Sequence, residues 1–219
     1  MMKRKTLGFS IAALLADREL SFAPDSSCSI DLLPSSMQQR AGGAAGTIQG
    51  GLIFRNQATA AQAPAAATLT YLTGSDIAIP QGAYLRVGSR FRWRWSMTKT
   101  GAGSATSTIA IVFGTAGTTA DTARVSFTKP AGTAAVDEAW FEINASVKAL
   151  SNTVGVVVGT MTMGHNLAAT GHAVIPFVCV TTISGSFDNI VDGLIVGLVI
   201  TSGASDAITI EQLQAEAQL

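Results

Sequence analysis

Two histidines, two cysteines and little charge leave this chain of 219 residues with few of the side chains that carry chemistry. Cys28 and Cys179 lie far apart without CxxC spacing, so neither a zinc site nor a redox motif is implied. Cys179 falls inside the apolar run Val174–Ile183 and reads as a small core residue, while a bridge to Cys28 stays open. No apolar stretch reaches the roughly eighteen residues of a spanning helix, so no such helix is expected. No GxSxG, P-loop or HExxH pattern occurs. His165 and His172 flank a glycine-containing segment with no carboxylate near them in sequence, which reads as loop hydrogen bonding rather than a metal site. Asp137, Glu138 and Glu142 are the close carboxylates, and strand spacing does not make them an acid–base pair. The chain reads as non-enzymatic, with no cofactor.

Charged residues make up only 13% of the chain, against 47% hydrophobic ones. Mean hydropathy is +0.37, a value that fits a protein burying surface against neighbours. The net charge is zero, yet it is unevenly spread. Residues 51–129 sum to about +6, through Arg55, Arg86, Arg90, Arg92, Arg94, Lys99, Arg124 and Lys129; residues 130–219 sum to about −7. Complementary halves can hold one sandwich or two copies together, and they argue against free nucleic-acid binding.

What is abundant is alternation. From Arg90 to Met97, arginine or serine alternates with Phe91, Trp93, Trp95 and Met97, the pattern of a strand with one wet and one buried face. The arginines identify the wet side, so Trp93 and Trp95 belong to the core. Further strands are expected at Thr68–Leu72, Tyr84–Val87, Ser107–Phe113, Ala123–Thr128, Glu138–Leu150, Thr153–Met163, Val174–Ile183, Leu194–Thr201 and Ala207–Gln214, with glycine between them. Such spacing predicts an all-β fold, an antiparallel two-sheet sandwich of jelly-roll type. Trp140 shares a strand face with Glu138 and Glu142, which makes it the candidate for an exposed or interfacial aromatic. Arg92 and Arg94 are the matching candidates on the wet side of their strand.

The N-terminal segment differs in character. Lys3, Arg4 and Lys5 precede the apolar stretch Leu7–Ala16 in the outline of a secretory signal, but Asp17, Arg18 and Glu19 interrupt it. Leu7, Ile11, Leu14 and Leu15 form a helical stripe and are candidate anchoring residues. From Ser21 to Ala67 the chain is rich in Ser, Pro, Gln, Ala and Gly, with only short strand-like pieces at Ser29–Leu33 and Leu52–Arg55. The expected organisation is therefore an arm with a short helix over 1–66 and a β-sandwich over 67–219.

Three segments carry a family likeness: Val87-Gly88-Ser89-Arg90-Phe91-Arg92-Trp93-Arg94-Trp95, the corner from Ile111 through Phe113-Gly114-Thr115-Ala116-Gly117-Thr118-Thr119-Ala120-Asp121 to Ala123, and the ending Ile208–Gln214. In them, residues 68–219 resemble the β-rich virion structural proteins of tailed bacteriophages. The resemblance implies a jelly-roll subunit of the phage particle, assembled in the host cytoplasm and forming a homotrimer. It implies a head decoration or cement protein docked on the major capsid protein or another virion protein through its arm. The alternative is a fibre, tail or baseplate module that binds a host-surface glycan.

Overall fold

The computed structural model describes residues 53–79, 85–100, 104–151, 154–186, 194–204 and 207–219. The chain divides into two compact units, residues 1–50 and 51–219, and the described residues all lie in the second. The candidate anchors Leu7, Ile11, Leu14 and Leu15, and with them the expected N-terminal helix, lie outside the described residues.

Among the described residues eleven strands follow one another: β1 (Ile53–Ala58), β2 (Leu69–Tyr71), β3 (Ile77–Ala78), β4 (Arg90–Lys99), β5 (Ser107–Gly114), β6 (Thr122–Lys129), β7 (Asp137–Leu150), β8 (Gly155–His165), β9 (Phe177–Ile183), β10 (Ile195–Thr201) and β11 (Ile208–Gln218). They form a six-stranded sheet in the order β1-β11-β4-β7-β8-β9 and a second sheet in the order β2-β10-β5-β6, with β3 paired to β10. Every pairing is antiparallel. The all-β, two-sheet architecture expected from alternation is thus the architecture found.

The core lies between the sheets. Phe91, Trp93, Trp95 and Met97 of β4 are buried, as are Phe141 and Ile143 of β7 and Ile109, Ile111 and Phe113 of β5. Phe91 meets Phe113 edge-on across the gap at 6.0 Å, and Trp95 stacks on Phe141 at 4.9 Å. The Trp93 indole donates to the Ser75 carbonyl at 2.8 Å, so its polar atom is satisfied inside the core. At Gly159 of β8 a Cβ would lie 2.8 Å from Phe127 of the opposing sheet; glycine lets the sheets close there.

Two of the three segments quoted above contain a turn. Gly88 has φ +93° and Ser89 Oγ accepts from the Arg86 amide at 2.9 Å, which turns the chain into β4. The Asp121 carboxylate accepts from the amides of Ala116 at 3.0 Å and Gly117 at 2.8 Å, closing the β5–β6 corner.

Several expectations need correction. Leu85–Val87 form no strand, because the Arg86–Ser89 turn occupies that stretch. Cys179 is exposed and free rather than a core residue; on β9 it is Val178 that faces inward, and strand parity turns Cys179 out. Ile53–Ala58, grouped by sequence with the arm, forms the edge strand of the six-stranded sheet, and Gln62 bridges to Ile210.

Candidate functional site

The outer face of the six-stranded sheet concentrates the polar side chains that alternation turned away from the core. Residues directly opposite on antiparallel strands share a face, so the register reads as rows across the sheet. One row runs Gln218, Arg90, Ser146, Val158, Ile183. The next runs Arg55, Glu216, Arg92, Asn144, Thr160, Thr181, and the third Gln57, Gln214, Arg94, Glu142, Thr162, Cys179. The fourth runs Gln212, Ser96, Trp140, Gly164, Phe177. A bulge at Glu211 sets this parity for the end of β11, delivering Gln212, Gln214, Glu216 and Gln218 to one side.

Glu142 is the centre of the face. It accepts from Arg92 Nη2 at 3.0 Å and 3.1 Å and from Arg94 Nε at 2.8 Å, and Asn144 Nδ2 donates to it at 2.6 Å. At 19% side-chain exposure, Glu142 is less open to water than either arginine, so the pair of cations is held over a shielded carboxylate. Arg92 Nε is buried without a hydrogen-bond partner. A second pair, Arg55 Nε to Glu216 Oε2 at 3.0 Å, lies in solvent beside it.

Trp140 is 50% exposed, whereas Trp93 and Trp95 are buried. Its indole lies over Gly164 of the next strand, where a side chain would collide with the ring. Beyond Gly164 the row ends in Phe177, 55% exposed. A groove of about 350 Å³ opens beside the indole, lined by Arg94, Ser96, Glu142, Gln212 and Gln214. A second groove of about 500 Å³ lies further along β4 and β7, between Arg90, Asn144, Ser146, Thr160 and Gln218. An apolar ring edged by amides, carboxylates and guanidinium groups suits a ligand with both C–H faces and hydroxyls.

The sequence candidates Trp140, Arg92 and Arg94 therefore meet on this one face. Sequence reasoning missed the glutamines of β11, although their period of two from Gln212 to Gln218 was there to be read. It read Leu52–Arg55 as a strand-like piece of the arm and so missed that β1 belongs to the sheet, where its Gln57 and Arg55 extend two of the rows.

The histidines lie elsewhere, in a buried polar plug at one end of the sandwich. His165 ends β8, its Nε2 bonding the Ile175 carbonyl at 2.7 Å. Its Nδ1 is 2.7 Å from Asp137 Oδ2, close enough for charge pairing though without hydrogen-bond alignment. A carboxylate thus does neighbour the histidines, brought there by β7 rather than by sequence. Asp137 is drawn upward by burial, but the amides of His172 and Glu138, with His165, hold it below its ordinary range. His172 is pushed down to about 4, first by burial and then by the nearby Lys129 charge. Lys99 and Lys129 are both buried, with backbone carbonyls around their Nζ atoms: Thr100, Thr133 and Ala135 for Lys99, Pro130 and His172 for Lys129. This plug is closed to solvent and ties loops together. Among the described residues no cluster of three or more His, Cys, Asp or Glu side chains could hold a metal.

No protein-family model matches this chain, and no curated protein matches it. Among solved structures it is similar to the CBM2 module of the evolved Dit of Lactobacillus casei BL23 phage J-1, at 9% identity and a TM-score of 0.27. The match covers 66% of this chain and 69% of that one. So low a TM-score leaves that module's properties its own.

Proposed function

We propose that this chain is a non-enzymatic, glycan-binding subunit of a phage particle, using the outer face of its six-stranded sheet to hold a host-surface polysaccharide. The single observation that carries the reading is Trp140, half-exposed over Gly164 in a groove edged by Arg94, Glu142, Gln212 and Gln214. A sugar ring stacks its C–H face on an indole, and planar amide and guanidinium groups reach its hydroxyls in pairs. The preorganised Arg92–Glu142–Arg94 cluster keeps those groups fixed, which limits the ordering cost of binding. Association with a virion rests on the resemblance of residues 68–219 to tailed-phage structural proteins. A tail, baseplate or fibre position suits a face built for a ligand.

Jelly-roll winding and a trimeric state belong to the same proposal. Consecutive β4 and β5 run beside β11 and β10, with β4–β11 in one sheet and β5–β10 in the other. Capsid decoration through residues 1–66 is the alternative use, and no described side chain favours it over ligand binding.

The test is a glycan array and a host cell-wall polysaccharide pull-down with the full chain. Binding that disappears in Trp140→Ala while the fold is retained supports the reading. Binding to isolated capsids, with no glycan retained, would turn the assignment to decoration.

A further inference from the structure

Resting on that glycan reading, we infer that the polysaccharide carries an anionic group, a carboxylate or a phosphodiester, held at the Arg90 end of the face. The observation is an uneven distribution of unpaired charge. Arg92 and Arg94 share the single charge of Glu142, which leaves one positive charge between them, and Arg55 is matched by Glu216. Arg90, in the first row with Gln218 and Ser146, is exposed and forms no ion pair among the described residues. Exposed Lys148 lies two residues beyond Ser146 at a β7 bulge, and Arg86 precedes β4 in the adjoining turn; neither forms an ion pair among the described residues. At the opposite end of the same strands the charges reverse: Glu138 pairs in register with Thr98, and Glu211 accepts from Thr98 Oγ1 at 3.0 Å.

The face is thus cationic at one end and acidic at the other, with the aromatic platform nearer the acidic end. Trp140 and Ser146 are six residues apart on β7, roughly 20 Å along the strand. That span suits a short oligosaccharide lying along the strands, neutral ring on Trp140 and anion at Arg90. The groove there is lined by Arg90, Arg92, Asn144, Ser146 and Gln218, which supply hydrogen bonds around that anion, and by Glu216, whose charge is paired with Arg55. The acidic end repels a second anion, so one orientation of the chain is favoured.

The probe is an array that prints each acidic glycan beside its neutral counterpart, uronate with methyl ester and phosphodiester with dephosphorylated backbone. The full chain is compared with Arg90→Gln and Trp140→Ala. The expected result is at least tenfold preference for acidic members, weakened by added salt. In Arg90→Gln that preference collapses toward unity, while Trp140→Ala loses both kinds of glycan. Equal binding of acidic and neutral counterparts overturns this inference and leaves the glycan reading standing. Binding to neither class overturns both. Preference confined to uronates or to phosphodiesters identifies which anion Arg90 receives, and acidic preference that survives Arg90→Gln overturns the assignment to that end.

Discussion

Each sheet of this sandwich lays an aromatic ring over a glycine on its outer face, and the two faces end up with opposite character. On the second sheet Tyr71 lies over Gly197 of β10, beside buried Ala110, Val112 and Val199. Burial there, with the Asp76 and Asp121 charges, pushes the Tyr71 hydroxyl well above its ordinary range. On the six-stranded sheet Trp140 lies over Gly164, yet the ring stays half-exposed among arginines, glutamines and Glu142. The local device is the same, an aromatic filling the space a missing side chain leaves. What differs is the neighbours. Small apolar residues close one platform, while long polar ones stand back from the other and leave it open.

Acid is the perturbation both faces share, through the plug between their loops. His172 titrates at about 4 in the fold against 6.5 in the unfolded chain, so the unfolded chain takes up its proton first as pH falls. Stability should be complete above the unfolded value and fall by up to about 3 kcal/mol through that window, with Asp137 adding loss in the same direction at lower pH. Urea unfolding at about pH 7 and pH 4.5 checks this; a flat profile sinks the account of the plug. Glycan binding by the protein that remains folded gives the baseline for the variants.

Gly197→Ala should break the closed platform. Its Cβ would collide with the Tyr71 hydroxyl and lie 3.3 Å from Ser75 Oγ, for a loss of about 1–3 kcal/mol in denaturant unfolding. Glycan binding should be unchanged, and a loss would join the two faces functionally. Trp140→Ala should instead weaken glycan binding about tenfold or more, with about 1–2 kcal/mol of stability lost with the buried half of the indole and the fold retained. Gly164→Ala sharpens the point, since it keeps the indole but lifts it from its seat. Calorimetry should find a smaller affinity loss than for Trp140→Ala; no loss would mean that the seat is irrelevant. The smallest effect belongs to Glu142→Gln, which removes the charge between Arg92 and Arg94, two guanidinium groups that themselves reach water, and keeps an amide in its place. Its stability cost should stay below about 1 kcal/mol, with the change falling on the acidic-to-neutral preference.

Much of this was legible in the chain because one face of most strands is wet. The run from Arg90 to Met97 declares its own parity, and Glu138–Trp140–Glu142 declares the same for β7. Where parity is silent, so was the reading. Residues 109–113 and 195–200 are nearly continuous apolar runs because β5 and β10 are buried on both faces, so the apolar outer cluster of the second sheet had no signature. β1 carries Asn56 and Gln57 and resembles the segment before it, and β3 has only two residues. The Asp137–His165 contact depends on β7 and β8 pairing, which no local spacing encodes.

The most direct test of the open platform is the indole N–H spectrum of the isotopically labelled full chain during titration with a glycan retained on the array. The three tryptophans supply three signals, and Trp93 is an internal reference fixed by its bond to Ser75. The account expects the Trp140 signal to shift saturably while those of Trp93 and Trp95 stay in place. A bound glycan that leaves Trp140 unmoved would contradict it.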